Sequence, residues 1–429
     1  MKPRAFLFVL AATASVAACG GTPSGDWTGS VVDSAGVAIV MNPDQGLWPK
    51  GREWKATEEL RIGVVEGDPV YQFGQVLGID ADEEGRIYVL DQQAQEVRVF
   101  GADGAYLHTI GRAGSGPGEI GPGAMALLFG RGDTLLVVEG GLMRVSRFLA
   151  DGTAVGSFPI PFTDGIPLRW DRLPDGRIVQ QARTIRLPGQ SEEPEQNRLL
   201  IREGDGAIVD TLFELPLGES MDFSGGMPRF RIFETEPIWT LLDDGRLVTA
   251  LSTDYRLELR TPDGRLERVV TKPFTRRPVT EADREAFLAF FEETLRNSGA
   301  PPGAWQMMQQ NISFADTYTA FANLMAGPGG TILVQHVQSA DQISAGGTVD
   351  VQDLGAPNWD VFNAEGRYLG VLAFPARFNL IKIRGDHAYG VWRDDMDVQY
   401  VMRFRIDRAG GADNGPAPRA SPTPLGSET

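Results

Sequence analysis

Residues Phe73–Ile120 read FGQVLGIDADEEGRIYVLDQQAQEVRVFGADGAYLHTIGRAGSGPGEI, and the fold is decided there. A short apolar run, Val76 to Asp80, ends in an acidic turn that closes on Gly85. Arg86 to Asp91 follows as a β-branched and aromatic run. Then come a polar turn, Glu96 to Phe100, the Ala102-Asp103-Gly104 turn, and Ala105 to Ile110. Alternating apolar residues between Gly and Asp-Gly turns predict four antiparallel strands. Alone, such a unit has two open edges and two unburied faces. It needs copies of itself.

The 429-residue chain supplies them, marked by a glycine turn between the first two strands and another between the last two. A second unit has Gly132-Asp133 and Asp151-Gly152. A third has Asp175-Gly176 and Asp205-Gly206, with a long loop, Pro188 to Asn197, between its middle strands. The fourth has Asp244-Gly245 and Asp263-Gly264, and the fifth Gly329-Gly330 and Glu365-Gly366, with Asp341 to Pro357 inserted. The sixth has Gly385-Asp386, then Ala388 to Trp392 and Tyr400 to Ile406, and there the pattern stops one strand short. Ahead of unit one, Leu60 to Val65 looks like a fourth strand without its first three, with Trp48 to Glu59 polar and irregular before it. The expected fold is therefore all-β: a six-bladed β-propeller of four-stranded blades, closed by an N-terminal strand. Ser30 to Asn42 reads as two further short strands about the Asp33–Gly36 turn.

One helix interrupts the pattern between blades four and five, in an insertion spanning 278–312. Thr280 precedes Glu281-Ala282-Asp283 as a cap, and Phe287, Leu288, Phe291 and Leu295 recur at helical spacing before Gly299 and Pro301-Pro302 stop the run. A shorter helical piece is expected around Ala304 to Gln310, and the stripe is read as a face packed on the β body.

Lys2 and Arg4 precede an apolar stretch, Ala5 to Val16, too short for a stable membrane anchor, which ends in Val16-Ala17-Ala18-Cys19-Gly20. That resembles the bacterial lipobox, which implies lipidation at Cys19, the single cysteine of the chain. The implied organisation is a signal peptide over 1–18, a tether over 19–29, the propeller over 30–408 and a Gly/Ala/Pro/Ser-rich disordered tail over 409–429. An exported lipoprotein at the periplasmic or outer surface, held to the membrane through its lipid alone, follows. The net charge is −17 and becomes −19 without Lys2 and Arg4, which argues against nucleic acid as a partner. A monomer is expected.

The stretch quoted above also resembles the NHL repeat and the wider group of six-bladed propellers found in bacterial lipoproteins. The shared pattern is D-x-x-G-x-I-Y-V-x-D at Asp82 to Asp91, R-V-F-x-x-D-G at Arg98 to Gly104 and I-G-x-x-G-x-G-P-G-E at Ile110 to Glu119. The resemblance covers about Leu60 to Ile406 and implies a fold; it implies no single activity, because propellers host hydrolases, lyases and binding proteins.

Function is expected where the innermost strands and the loops leading into them meet the channel. Reading back from each first turn, those strands lie near Val76 to Asp80, Ala124 to Phe129, Leu168 to Leu173, Ile238 to Leu242, Ala322 to Met325 and Leu380 to Ile383. Arg169, Trp170, Trp239 and Lys382 lie on them; Phe223, Arg229, Phe230, Arg231, Phe233, Phe314, Tyr318, Arg377 and Phe378 precede them. Cations and aromatics converging on one rim would suit an anionic or glycan-like ligand. The candidate binding set is Arg169, Trp170, Arg229, Arg231, Trp239, Tyr318, Arg377 and Lys382. Asp80, Asp171 and Asp316 could approach the channel and hold calcium or another divalent cation; otherwise no cofactor is expected. Asp394-Asp395-Met396-Asp397 lacks EF-hand spacing and reads as a hairpin tip. His108, His336 and His387 are the only histidines, on strands or turns too far apart for a Ser-His-Asp site. Two readings remain: a non-catalytic propeller binding an envelope protein, peptide or glycan at the channel rim, or a divalent-metal-dependent hydrolase or lyase, lactonase-like, at the channel mouth.

Overall fold

The computed structural model describes residues 27–184, 194–222, 229–297, 301, 303–340, 342 and 355–408. The lipobox with Cys19, residue Phe223, the tail from 409 and most of the two long loops lie outside these. The chain forms six four-stranded antiparallel blades. Their innermost strands are Val76–Ala81, Ala124–Phe129, Ile166–Arg172, Pro237–Leu241, Asn323–Ala326 and Phe378–Arg384.

Blade stacking explains why the second strands of blades one and two, IYVLD and LLVVE, read as nearly unbroken apolar runs. Ile87 and Val89 pack toward blade six, while Tyr88 and Leu90 pack toward blade two. Leu135 and Val137 face blade one, and Leu136 and Val138 face blade three. Side chains alternate across a strand, so a strand between two neighbours buries both faces. Each of the six junctions accordingly holds its own apolar core.

The aspartate ending the repeat motif has a defined task. Asp91 closes the second strand of blade one, and its carboxylate accepts hydrogen bonds from the backbone N–H groups of Gly74 (2.9 Å), Gln75 (3.1 Å), Gln93 (3.1 Å) and Ala94 (3.2 Å). It thereby ties the entry of the innermost strand to the next turn. Glu139 repeats this in blade two, accepting from Gly121 N at 2.6 Å.

The ring closes in blade six, with a corrected register. The closing strand is Lys55–Ile62, not Leu60 to Val65, and it pairs antiparallel with Gln399–Asp407, from Val401 opposite Ile62 to Asp407 opposite Lys55. The stretch reads as irregular in sequence because an outermost strand shows most of its side chains to water. Only Ile62 on it is buried.

The N-terminal segment before this strand forms a belt over three blades. Ser30–Ser34 and Val37–Met41 make the expected hairpin, and its second strand lies parallel to Leu266–Thr271, extending blade four to six strands. Asn42 fastens the belt to blades four and five. Its side chain donates to Thr271 O (3.2 Å) and Gly366 O (2.9 Å) and accepts from Tyr368 N (2.7 Å) and Trp27 Nε1 (3.3 Å). Trp27, expected in the tether, is thus docked, with Arg367 over its ring at 4.8 Å. Leu47 and Trp48 then donate backbone bonds to Tyr368 and Leu369 on the rim of blade five. Trp48 lies against Gly370 (φ 149°), where a Cβ would meet its ring at 2.5 Å.

Two buried carboxylates cross-link blades. Asp360, at the junction of blades four and five, accepts from Tyr255 Oη (2.6 Å), Lys272 Nζ (2.8 Å), Tyr368 Oη (2.9 Å) and His336 Nε2 (3.0 Å). Burial alone would raise its pKa, but bonding and charge from His336 and Lys272 outweigh that and hold it well below the usual carboxylate range. Asp80 on blade one is gripped by Arg384 of blade six through Nε (2.8 Å) and Nη2 (2.9 Å).

Removing one partner of a buried ion pair typically costs about 3–5 kcal/mol. Asp360→Asn should lose stability of that order at pH 7. A depressed folded-state pKa stabilises fully above the unfolded value of about 3.9 and ceases to do so as pH falls through the folded one. The gap between wild type and Asp360→Asn in urea unfolding should therefore narrow below about pH 4; a gap constant from pH 7 to pH 3 would refute the assignment. Arg384→Met should cost a similar amount by stranding Asp80, and the double change Asp80→Leu/Arg384→Met should restore most of it. A single-variant loss below about 1 kcal/mol, the size of an exposed pair, would contradict the brace.

Candidate functional site: the capped channel mouth

The insertion between blades four and five does not lie along the blades. Thr280 and Asp283 cap its helix reciprocally: Asp283 N donates to Thr280 Oγ1 at 3.2 Å and Thr280 N donates to Asp283 Oδ2 at 2.8 Å. The helix Glu281–Asn297 buries Phe287 and Phe291 against Ile232, Phe233, Ala315 and Tyr318. Ile232 and Phe233 belong to the connection from blade three to blade four, where a small sheet forms. Met221–Asp222 pairs antiparallel with Arg229–Ile232, which pairs parallel with Ile312–Phe314 from the end of the insertion. Two connections thus knit into one cap with its own apolar core.

Beneath the cap lies a cavity of about 630 Å³. Phe230, Ile232, Phe291, Met308 and Ile312 line it from the cap; Leu168, Ile238, Trp239, Phe321, Ala322 and Leu380 line it from blades three to six. Trp239 is fully buried and fixed by a relay: its Nε1 donates to Gln181 Oε1 (2.8 Å), and Gln181 Nε2 donates to Asn197 Oδ1 (3.0 Å). Arg169 crosses the floor from blade three to blade five. It donates to Asn323 Oδ1 (3.1 Å) and Leu324 O (3.3 Å), with its guanidinium carbon 5.5 Å from the Trp239 ring centre. Burial pulls its pKa below the ordinary arginine value, opposed by Asp171.

Below Arg169 the channel continues as a smaller, polar space of about 270 Å³. Lys382 Nζ reaches Asp171 across it at 3.4 Å. Burial would raise the Asp171 pKa, yet Lys382, the Arg172 N–H, Arg169 and Arg384 together hold it below its ordinary value. Burial likewise opposes charge on Arg384, but Asp80, Asp171 and Asp243 more than compensate and raise its pKa.

The structure brings together part of the expected binding set. Arg169, Trp239 and Arg231 line the upper cavity, and Arg169, Trp170, Asp171 and Lys382 the lower one. Trp170 also packs with the apolar core between blades two and three. Three of that set line neither, nor does Asp316 of the cation set. Tyr318 is buried in the cap, its hydroxyl accepting from Ala340 N and Arg277 lying over its ring at 4.0 Å; burial pushes its pKa up to about 12. Arg377 pairs with Asp395 at the exposed tip formed by Asp394–Asp397. Arg229 is exposed on the cap sheet, and Asp316 is exposed beside the insertion. Tyr318, Arg229 and Asp316 stand away from the channel because the connections carrying them rise into the cap instead of descending to the rim, and Arg377 because its connection runs beside the exposed hairpin tip of blade six. Of the three aspartates expected to approach a cation, Asp80 and Asp171 reach the channel wall but face Arg384 and Lys382. Among the described residues no group of three or more Asp, Glu, His or Cys is placed to hold a metal ion. His108, His336 and His387 bond to Ala150 O, Asp360 and Glu59, outside both cavities.

Arg384, Asn323 and the cap sheet lay outside the expected set. Arg384 was legible: two residues after Lys382 on one strand, it shares that residue's face.

A family model described as a 6-bladed beta-propeller (DUF5128) matches residues 72–120, the stretch holding the repeat motif. No curated protein matches the chain. Among solved structures it is similar to an exported protein of Bacteroides fragilis, at 11% identity over 86% of this chain and 99% of that one, with a TM-score of 0.49. It is also similar to virginiamycin B lyase of Staphylococcus aureus (11%, 82% and 99%, 0.42) and to a gluconolactonase of Xanthomonas campestris (11%, 78% and 87%, 0.41). By its own strand order the chain is a six-bladed β-propeller of four-stranded blades.

Proposed function

We propose that this chain is an exported, lipid-anchored, non-catalytic propeller that binds a compact, largely apolar ligand, such as a peptide segment, in the capped mouth of its channel. In this reading the signal peptide and tail take the boundaries expected from sequence, Cys19 is the lipidated residue, and the tether ends before the docked Trp27. Among the described residues no helix is long and apolar enough to cross a membrane.

The observation that carries the reading is the cavity under the cap. Its size falls in the range of about 300–1,000 Å³ usual for small-ligand sites. Its lining is more apolar than polar, with aromatic and aliphatic walls from the cap and the blades and with Arg169, Arg231, Glu234, Glu236 and Asn323 among its polar groups, as a site that orients a compact, largely apolar ligand requires. The metal-dependent alternative asks Asp80 and Asp171 to exchange Arg384 and Lys382 for a cation, and the present pairing supports the binding reading over it.

The neutral fluorophore N-phenyl-1-naphthylamine tests the site. It should bind saturably at one site per chain. Ala322→Trp, which fills the cavity from just before the innermost strand of blade five, should weaken it at least tenfold while leaving the thermal midpoint within a few degrees. Undiminished binding by a folded Ala322→Trp would remove the mouth as the site.

A further inference from the structure

The geometry points to a carboxylate as the anchoring group of the ligand: an amphiphilic monoanion with its head on Arg169 and its apolar body under the cap. This rests on the reading of the mouth as a binding site and adds the chemistry that the site selects.

Arg169 is a cation on the floor of the cavity. A guanidinium carries five N–H donors, and Arg169 spends one on Asn323 Oδ1 and one on the Leu324 carbonyl. Among the described residues it makes no salt bridge; the carboxylate acting on it, Asp171, is engaged by Lys382. The two carboxylates at the upper wall are also engaged. Glu234 holds Arg231 at 2.9 Å, and Glu236 accepts from Ser220 N at 2.8 Å.

Among the described residues Arg169 touches no carboxylate directly, and the apolar walls above it strengthen its attraction for an entering anion relative to an open surface. The planar fork of an arginine matches a carboxylate in two parallel hydrogen bonds, which a neutral amide cannot reproduce. Asn323 and Leu324 hold the guanidinium on one side and Trp239 on another, so the fork is positioned before a ligand arrives. A carboxylate on an apolar body has two sources, a free aryl or alkyl acid or the C-terminus of a peptide.

The test titrates the purified full chain with two matched pairs, followed by calorimetry. One pair is 4-phenylbutyrate and 4-phenylbutyramide; the other is acetyl-Ala-Ala-Phe as the free acid and as its C-terminal amide. The acid should bind at least tenfold more tightly than its amide in the pair whose body fits, and that pair identifies the source. Arg169→Gln should erase the preference. Asn323→Asp, which changes no packing and offers Arg169 a carboxylate of its own, should erase it too and covers the case in which Arg169→Gln does not fold. Equal affinity for each acid and its amide would overturn the inference and leave the cavity as an apolar site. Failure of both pairs and of N-phenyl-1-naphthylamine to bind would overturn the binding reading with it.

Discussion

The pairing of Lys55–Ile62 with Gln399–Asp407 is the contact on which the rest of the molecule depends. Every blade is a stack of local hairpins and could form from consecutive residues, except blade six, whose outermost strand comes from the other end of the chain. A propeller buries its blades only against neighbours, so the core between blades six and one, which contains Ile62 itself, exists only when the ring is shut. The belt before the closing strand reinforces that closure. Asn42 and Trp48 fix its path over blades four and five, so less of the strand's ordering entropy remains to be offset when it pairs.

Closure also positions the site. The channel is the place where innermost strands face one another, and the groups that meet there come from blades distant in sequence. Arg169 reaches Asn323, Lys382 reaches Asp171 and Arg384 grips Asp80, which joins blades three and five, six and three, and six and one. The cap sits over the part of the mouth bounded by blades three to six, since its two connections leave blades three and four.

The blades were legible in the sequence because their signal is local: apolar alternation, Asp-Gly turns and the Asp91 carboxylate that ties one turn to the next. The closing strand was misplaced by several residues because Lys55, Thr57, Glu58 and Glu59 face water, so nothing in their pattern announces a strand. The insertion's helix was legible from Phe287 and Phe291, but its destination was not. The cap sheet pairs Phe230 with Ile312 through strands of three and four residues, too short to carry a period. Innermost-strand residues such as Arg169, Trp239 and Lys382 were therefore placed on the channel as expected, whereas Tyr318, Arg229 and Asp316, on connections whose path depends on that sheet, were not, and neither was Arg377, drawn to Asp395 at the tip of blade six.

Native-state hydrogen exchange tests the central claim without altering the chain. If the closing strand shuts the ring, its release is a global event. The amides of Lys55–Ile62 that bond to Gln399–Asp407 should then be as protected as those of the central strand Ile87–Asp91, and more protected than the bonded amides of the locally held outermost strands Tyr106–Ile110 and Ala154–Pro159. Exchange in Lys55–Ile62 as fast as in those two strands would show that the strand frays independently, and would contradict the account.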